Sequence, residues 1–244
     1  MKISQWNRVI TNLWTVLCTS LALIACDQGE SNGTTNSITT AEIPEFLEMG
    51  GAKSVTSFFI TSVGVGEGGK LGGLAGADAH CQALAVAEYA GDHTWRAYLS
   101  TVASDAQPAV NARDRIGEGP WYNAEGLLIA ANISELHSGD NRIDKFKAAT
   151  ESLNPVNGLG DTPNMHDILT GSQLDGTAYS ENDARNCNNW TSNDEGNAQV
   201  GHHDRMAPGD DISSWNSAHV TRGCSQADLE TAGGAGLFYC FAID

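Results

Sequence analysis

GADAHCQALAVAEYAGDHTWRAYLST, residues 76–101, changes its periodicity halfway along. From Ala77 to Ala90 the apolar residues Ala77, Cys81, Leu84 and Ala85 recur at helical spacing, and Gly91 is a stop signal. From Thr94 to Thr101 the pattern alternates as in a strand. A helix followed at once by a strand, with one cysteine on the apolar face of the helix, predicts an α+β domain in which Cys81 faces a sheet. What Cys81 pairs with depends on the compartment.

The N-terminus speaks to that. Lys2 and Arg8 precede the mostly apolar run VITNLWTVLCTSLALIA, which ends in Leu23-Ile24-Ala25-Cys26. A basic start and a short apolar core before small residues describe a secretory signal, too short and wrongly flanked for a membrane span. The cysteine directly after Leu-Ile-Ala resembles a bacterial lipobox. That resemblance implies cleavage before Cys26, leaving a lipoprotein N-terminus that carries acyl chains of the palmitate kind. Two or more such chains hold a protein on a membrane stably, at about 0.8 kcal/mol per buried methylene. The expected place is the bacterial cell envelope, outside the cytoplasm, on either membrane.

Removing residues 1–25 removes Lys2 and Arg8 and no acid, so the formal charge of −17 becomes −19, with 11 basic residues against 30 acidic. Such a surface repels phosphate backbones and sulfated polysaccharides, which excludes nucleic acid and heparin-type polyanions as partners. Residues 26–54 are polar, rich in Ser, Thr, Asn and Gly and without period, and read as a flexible tether. Residues 55–244 are then one domain, long enough to bury a core.

Once Cys18 leaves with the signal and Cys26 is acylated, Cys81, Cys187, Cys224 and Cys240 remain. Four cysteines in an oxidising compartment allow three connectivities, and counting does not choose among them. No C-x-x-C pair suggests a zinc site. VTSFFITSV (55–63) reads as a strand and GLFYCFAID (236–244) as a buried terminal strand. A sheet holding both the first and the last strand would bring Cys81 near Cys240.

In order along the chain, GGLAGADAHCQALA, TWRAYLST, GPWYN, RNCNNWTS and a closing GCSQ…LFYCFAID resemble endostatin, the C-terminal domain of certain collagens and a member of the C-type-lectin-like superfamily. The resemblance spans about residues 55–244. It implies a mixed or antiparallel sheet with flanking helices, a long loop region and two nested disulfides, Cys81–Cys240 and Cys187–Cys224.

Most motif-like strings carry no chemistry. GVGEGG (64–69) fits G-x-G-x-x-G after a strand, but the helix does not open at once as a dinucleotide site requires. DNRIDKFKAATE (140–151) has acids at the first and twelfth positions of an EF-hand loop, but Arg142 at the third and Lys145 in place of the glycine. No nucleophile elbow occurs, and no cysteine is left free. His202-His203-Asp204 is not a zinc-helix motif, and its polar, turn-forming surroundings read as a solvated loop.

Sugar-binding C-type lectins hold calcium with a Glu-Pro-Asn-type loop and a Trp-Asn-Asp strand flanking the inner cysteine. Here Glu181-Asn182-Asp183 precedes Cys187 and Trp215-Asn216-Ser217 precedes Cys224, lacking the proline and replacing the second carboxylate with Ser217. Calcium needs several oxygens, so the set is short of one strong ligand. Between Asp105 and Asp183 lies a long stretch rich in Gly, Asn, Asp and Pro, the region that carries recognition in such proteins, and Trp121 and Tyr122 within it offer ring faces for stacking. The expected ligand set is therefore Trp121, Tyr122, Glu181, Asn182, Asp183 and Asn216, with calcium as a candidate ion.

The sequence thus predicts a non-enzymatic, lectin-like binding module for a carbohydrate, matrix-protein or envelope ligand. The alternatives are an envelope hydrolase built on His202, His203 and Asp204, or a purely structural lipoprotein.

Overall fold

The C-terminal strand organises the molecule. In the computed structural model, which describes residues 52–105, 107–206 and 214–244, β8 (Gly234–Ala242) has neighbours on both sides. The stretch expected to be a signal sequence, Cys26 and nearly all of the expected tether lie outside the described residues. β1 (Phe58–Ile60) pairs with β8 antiparallel, setting Phe59 opposite Cys240. β2 (Trp95–Ala97) also pairs with it antiparallel, setting Ala97 opposite Cys240. β5 (Asp167–Leu169) runs parallel to β8, β6 (Gln199–His202) antiparallel to β5, and the two-residue β7 (His219–Val220) antiparallel to β6. The sheet is mixed, in the order β1-β8-β5-β6-β7 with β2 also on β8. β3 (Trp121–Tyr122) and β4 (Leu128–Ala130) form a separate hairpin.

β8 is buried on both faces, which explains its unbroken apolar sequence. Phe238 and Cys240 face one cluster with Phe59, Trp95, Leu169 and Val200. Leu237, Tyr239 and Phe241 face a second with Phe58, Tyr98, Ile168 and Trp215. Each fully buried ring of this kind stabilises the fold by about 1.5–3 kcal/mol.

α1 (Gly73–Ala87) packs on the first cluster through Ala77, Cys81 and Ala85. It begins four residues before the expected Ala77, because Gly72 and Gly73 at φ +79° and +70° turn the chain into it. It also ends before Gly91. Tyr89, at φ +60°, takes the left-handed position, and the Ala90 amide donates to the Ala85 carbonyl. On the sheet side, the buried Asp78 carboxylate accepts from Arg96 at 2.7 Å, from Arg115 at 2.8 Å and from the Ala97 amide at 2.9 Å. Helix and strand are thereby locked together.

Cys81 is bonded to Cys240, joining α1 to β8, and Cys187 to Cys224. The second bridge starts in α3 (Cys187–Trp190), a short turn whose four residues all have left-handed φ. Such a turn costs L-residues roughly 1–2 kcal/mol each, least for asparagine. Asn188 and Asn189 take its middle, the Asn186 side chain accepts from the Asn189 amide, and the Trp190 indole donates to the Ser100 carbonyl. α4 (Gln226–Ala232) follows the bridge and leads into β8.

The stretch from Asp105 to Asp183 is less a loop region than its composition predicts. It carries β3, β4, the short α2 (Ile133–Leu136) and β5. The described domain lies within one compact unit, Gly50–Asp244. Its start is held in place: Lys53 pairs with Asp244 at 3.0 Å and the Ser54 amide donates to Asp92 at 2.6 Å. No helix among the described residues is long and apolar enough to cross a membrane.

Candidate metal centre

His202, His203 and Asp204 do not form a solvated loop. All three are buried, at 2 %, 0 % and 6 % exposure, because β6 carries its pairing as far as His202 and the chain then turns inward. The register of the sheet gathers the rest. Asp167 lies directly opposite His202 across β5 and β6. His219 lies opposite Val200 on β7, two residues along from His202 on the same face. His166 immediately precedes β5 and its ring stacks on His202, with centroids 4.0 Å apart.

Two glycines make this approach possible. A Cβ on Gly201 would lie 1.8 Å from the Trp215 carbonyl oxygen, and one on Gly233 would meet Asn164 at 2.8 Å and His166 at 3.3 Å. The chain crossing over β6 and the turn before β8 both run against bare backbone.

The result is one carboxylate oxygen ringed by imidazoles. Asp167 Oδ1 lies 3.2 Å from His166 Nε2, 3.2 Å from His202 Nε2 and 3.3 Å from His219 Nε2. His166, Asp167 and His202 are buried and offer ligand atoms that all lie within 4.8 Å of one another. His219 stands outside that trio, half-exposed, and its ring meets His202 edge-on at 5.0 Å. Neither oxygen of Asp167 and neither ring nitrogen of His202 has a hydrogen-bond partner, nor do His166 Nδ1 and His203 Nδ1.

Behind the trio stands Asp204. Its Oδ2 accepts from the Leu159 amide at 2.6 Å, its Oδ1 accepts from the Met206 amide at 3.0 Å, and Oδ1 lies 3.5 Å from His166 Nδ1. A Cβ on Gly158 would press on this carboxylate at 2.5 Å. Burial alone would raise the pKa of Asp167, but the imidazoles of His202 and His219 hold it below the usual carboxylate range. Burial works against the charge of Asp204 as well, and His166 with the two amides holds it lower still. Burial pushes His203 down, whereas the Asp167 contact raises His219.

The charged partners of these two buried carboxylates are therefore histidines: among the described residues, no Lys or Arg forms an ion pair with either. An uncompensated buried charge is expensive, and a partnerless buried polar atom costs about 1–3 kcal/mol. A divalent cation answers both. A tetrahedral zinc with bonds of about 2.0–2.1 Å spaces its donors by about 3.3–3.4 Å, close to the observed nitrogen–oxygen separations. Imidazole with carboxylate suits zinc and its neighbours in the transition series.

The ligand residues expected from sequence lie elsewhere. Trp121 is buried, with its indole donating to the Ala242 carbonyl. Tyr122 is half-buried at the edge of an open cleft of about 560 Å³ shared with His93, Pro120 and Asp244. Glu181, Asn182 and Asp183 form an exposed 3-10 turn in which Asp183 pairs with Arg185 at 2.9 Å. Neither carboxylate of that turn joins a cluster of three potential ligands among the described residues. Asn216 is buried: its Oδ1 accepts from Ser214, and its Nδ2 donates to Tyr98 and to the Gln173 and Leu174 carbonyls. The structure does not bring these six residues to one point.

No sequence motif marks His166, Asp167 or His219. The available signal was that four of seven histidines lie in or beside short apolar segments, at 166, 202, 203 and 219. Only strand register shows that three of them meet one aspartate.

No protein-family model matches the chain, and no curated protein matches it.

Proposed function

We propose that this chain is an exported, disulfide-stapled binding module whose chemical centre is a divalent transition-metal site, zinc foremost, held by His166, Asp167 and His202. One observation carries the reading: a buried carboxylate oxygen is ringed at 3.2–3.3 Å by imidazole Nε2 atoms, while the Asp167 and His202 side chains have no hydrogen-bond partners. The two disulfides support an oxidising, extracytoplasmic setting. The lipobox-like Leu23–Cys26 and the endostatin-like order of motifs support display on the envelope and a C-type-lectin-like scaffold. The first and last strands paired beside a disulfide-tethered helix agree with that scaffold.

Within this reading Asp204 keeps His166 oriented, with Nδ1 toward the carboxylate and Nε2 toward the ion, as outer carboxylates do for metal-bound histidines. The metal would fix β5 against β6 and supply a positive centre at the end of the sheet. A second reading, metal-assisted hydrolysis, is favoured by the convergence of His202 and Asp204 on Asp167 and His166. It requires an open coordination position for water. The two readings share the metal and differ in what takes the fourth place.

Equilibrium dialysis of the full-length protein against zinc, followed by elemental analysis, is the direct test. One equivalent should be retained, and Asp167→Asn should retain none. A wild-type protein that holds no zinc and gains no thermal stability from it would remove the metal reading altogether.

A further inference from the structure

We propose that His219 is the fourth ligand of this centre, so that the ion clips three adjacent strands together and the docking of β7 depends on the metal. The inference rests on the metal reading and deepens it.

The first observation is distance. His219 Nε2 lies 3.3 Å from Asp167 Oδ1, as close as His166 and His202 lie at 3.2 Å. A tetrahedral ion bonded to Asp167 needs its other donors at about that separation. It is close to Asp167 but outside the close-set trio of His166, Asp167 and His202, so its ring would have to shift toward the other two histidines to complete the site.

The second observation is access. The side chains of His166, Asp167 and His202 are at most 6 % exposed, whereas that of His219 is 35 % exposed. Among the described residues of the cluster, His219 is therefore the ligand on the solvent side. An ion entering past it would be covered by it. Four protein donors leave no place for a water, which favours a closed, structural or scaffold-type centre over a hydrolytic one.

The third observation is the weakness of β7 without the ion. It has two residues, at the sheet edge, in register with Gln199 and Val200 alone. So short an edge strand has little intrinsic hold. Its far end is covalently held, since Thr221 bonds to Ala198 and Cys224 bridges to Cys187, whose amide meets the Asn197 carbonyl. At its near end the Ala218 amide donates to the Val200 carbonyl at 2.7 Å, and His219 is the side chain that reaches from β7 into the cluster. Disulfide and metal would thus bracket the β6–β7 pair from opposite ends.

The test uses the full-length protein, zinc and cobalt(II). Isothermal titration with zinc should show His219→Gln binding at least about tenfold more weakly than wild type, since losing even an outer-shell partner costs about 10–100-fold. Because a variant can fail to fold, two measurements use wild type alone. Cobalt(II) should give the intense visible bands of a four-coordinate ion, and zinc should slow amide exchange at His219, Val220 and Thr221. Equal zinc affinity in His219→Gln, a weak six-coordinate cobalt spectrum, or unchanged exchange in β7 would each overturn the proposal while leaving a three-ligand site standing. Absence of zinc binding by wild type would instead overturn the metal reading on which it rests.

Discussion

Two buried polar groups of residues lie in this sheet, and they are finished to different degrees. Around Asn216 and Tyr98 every group is used. Asn216 accepts from Ser214 and donates to Tyr98 and two carbonyls, while Tyr98 meets His137 Nε2 at 2.7 Å. The neighbouring Trp215 indole donates to the Leu136 carbonyl, and Tyr239 donates to the Trp215 carbonyl. Around Asp167 the reverse holds, with a carboxylate and several ring nitrogens left without partners. Folded chains pair nearly all their buried polar groups, so an unpaired cluster marks a place where something else completes the bonding. The finished network is architecture, and the unfinished one is a site.

That contrast can be broken by experiment. The largest effect belongs to the scaffold both regions share. Cys81 and Cys240 are 159 residues apart, so their bridge removes much chain entropy from the unfolded state. Replacing both with alanine should cost on the order of 2–5 kcal/mol in denaturant unfolding. A loss below about 1 kcal/mol would mean that the α1–β8 packing holds this end without the bond.

The next effect is the metal's. Zinc at a hundred times its dissociation constant should stabilise the protein by about 2.7 kcal/mol. Asp167→Asn and His202→Gln should abolish that increment. An equal increment in both variants would mean zinc binds elsewhere on this acidic chain. In the finished network the prediction inverts. Asn216→Ala should cost about 1–3 kcal/mol with or without zinc, because it leaves Tyr98 and two carbonyls short of a donor. A zinc-dependent cost at Asn216 would erase the distinction between the two regions.

Much of the scaffold was legible in the sequence, and little of the site was. The segments around Phe58–Ile60, Trp95–Ala97 and Gly234–Ala242 announce themselves by apolar, β-branched or alternating residues, because β8 and its neighbours are buried. The helix around Cys81 shows in its spacing, though its ends do not, since Gly72 and Tyr89 set them through backbone conformation. Asn216 drew attention by its place in a lectin-like string, yet its amide faces inward. The metal cluster was hidden for a different reason. Its members come from β5, β6 and β7, strands of two to four residues too short to declare a period. His202-His203-Asp204 looked solvated because glycine, asparagine and aspartate surround it, and composition does not reveal that Gly201 admits a second chain segment above it.

The smallest effect is a pH dependence in the finished network. His137 Nδ1 lies 2.9 Å from the Ile133 carbonyl and must donate there, so Nε2 accepts from the Tyr98 hydroxyl, which in turn accepts from Asn216. The chain of donors is complete only when His137 is neutral. Burial lowers its pKa below the ordinary value near 6.5. With the folded-state pKa below the unfolded one, the unfolded chain takes up the proton first. The contribution of His137 is therefore fully present above about pH 6.5. It is lost as pH falls from there through the folded-state pKa. His219, whose pKa Asp167 raises, titrates in the opposite sense, so wild type alone would blur the effect. The clean measurement is the stability difference between wild type and His137→Gln, in chelator, from about pH 7.5 down to about pH 5. The difference should shrink as the solution is acidified. A constant difference across that range would show that the protonated ring is accommodated, and that the Tyr98–Asn216 network is looser than its hydrogen bonds imply.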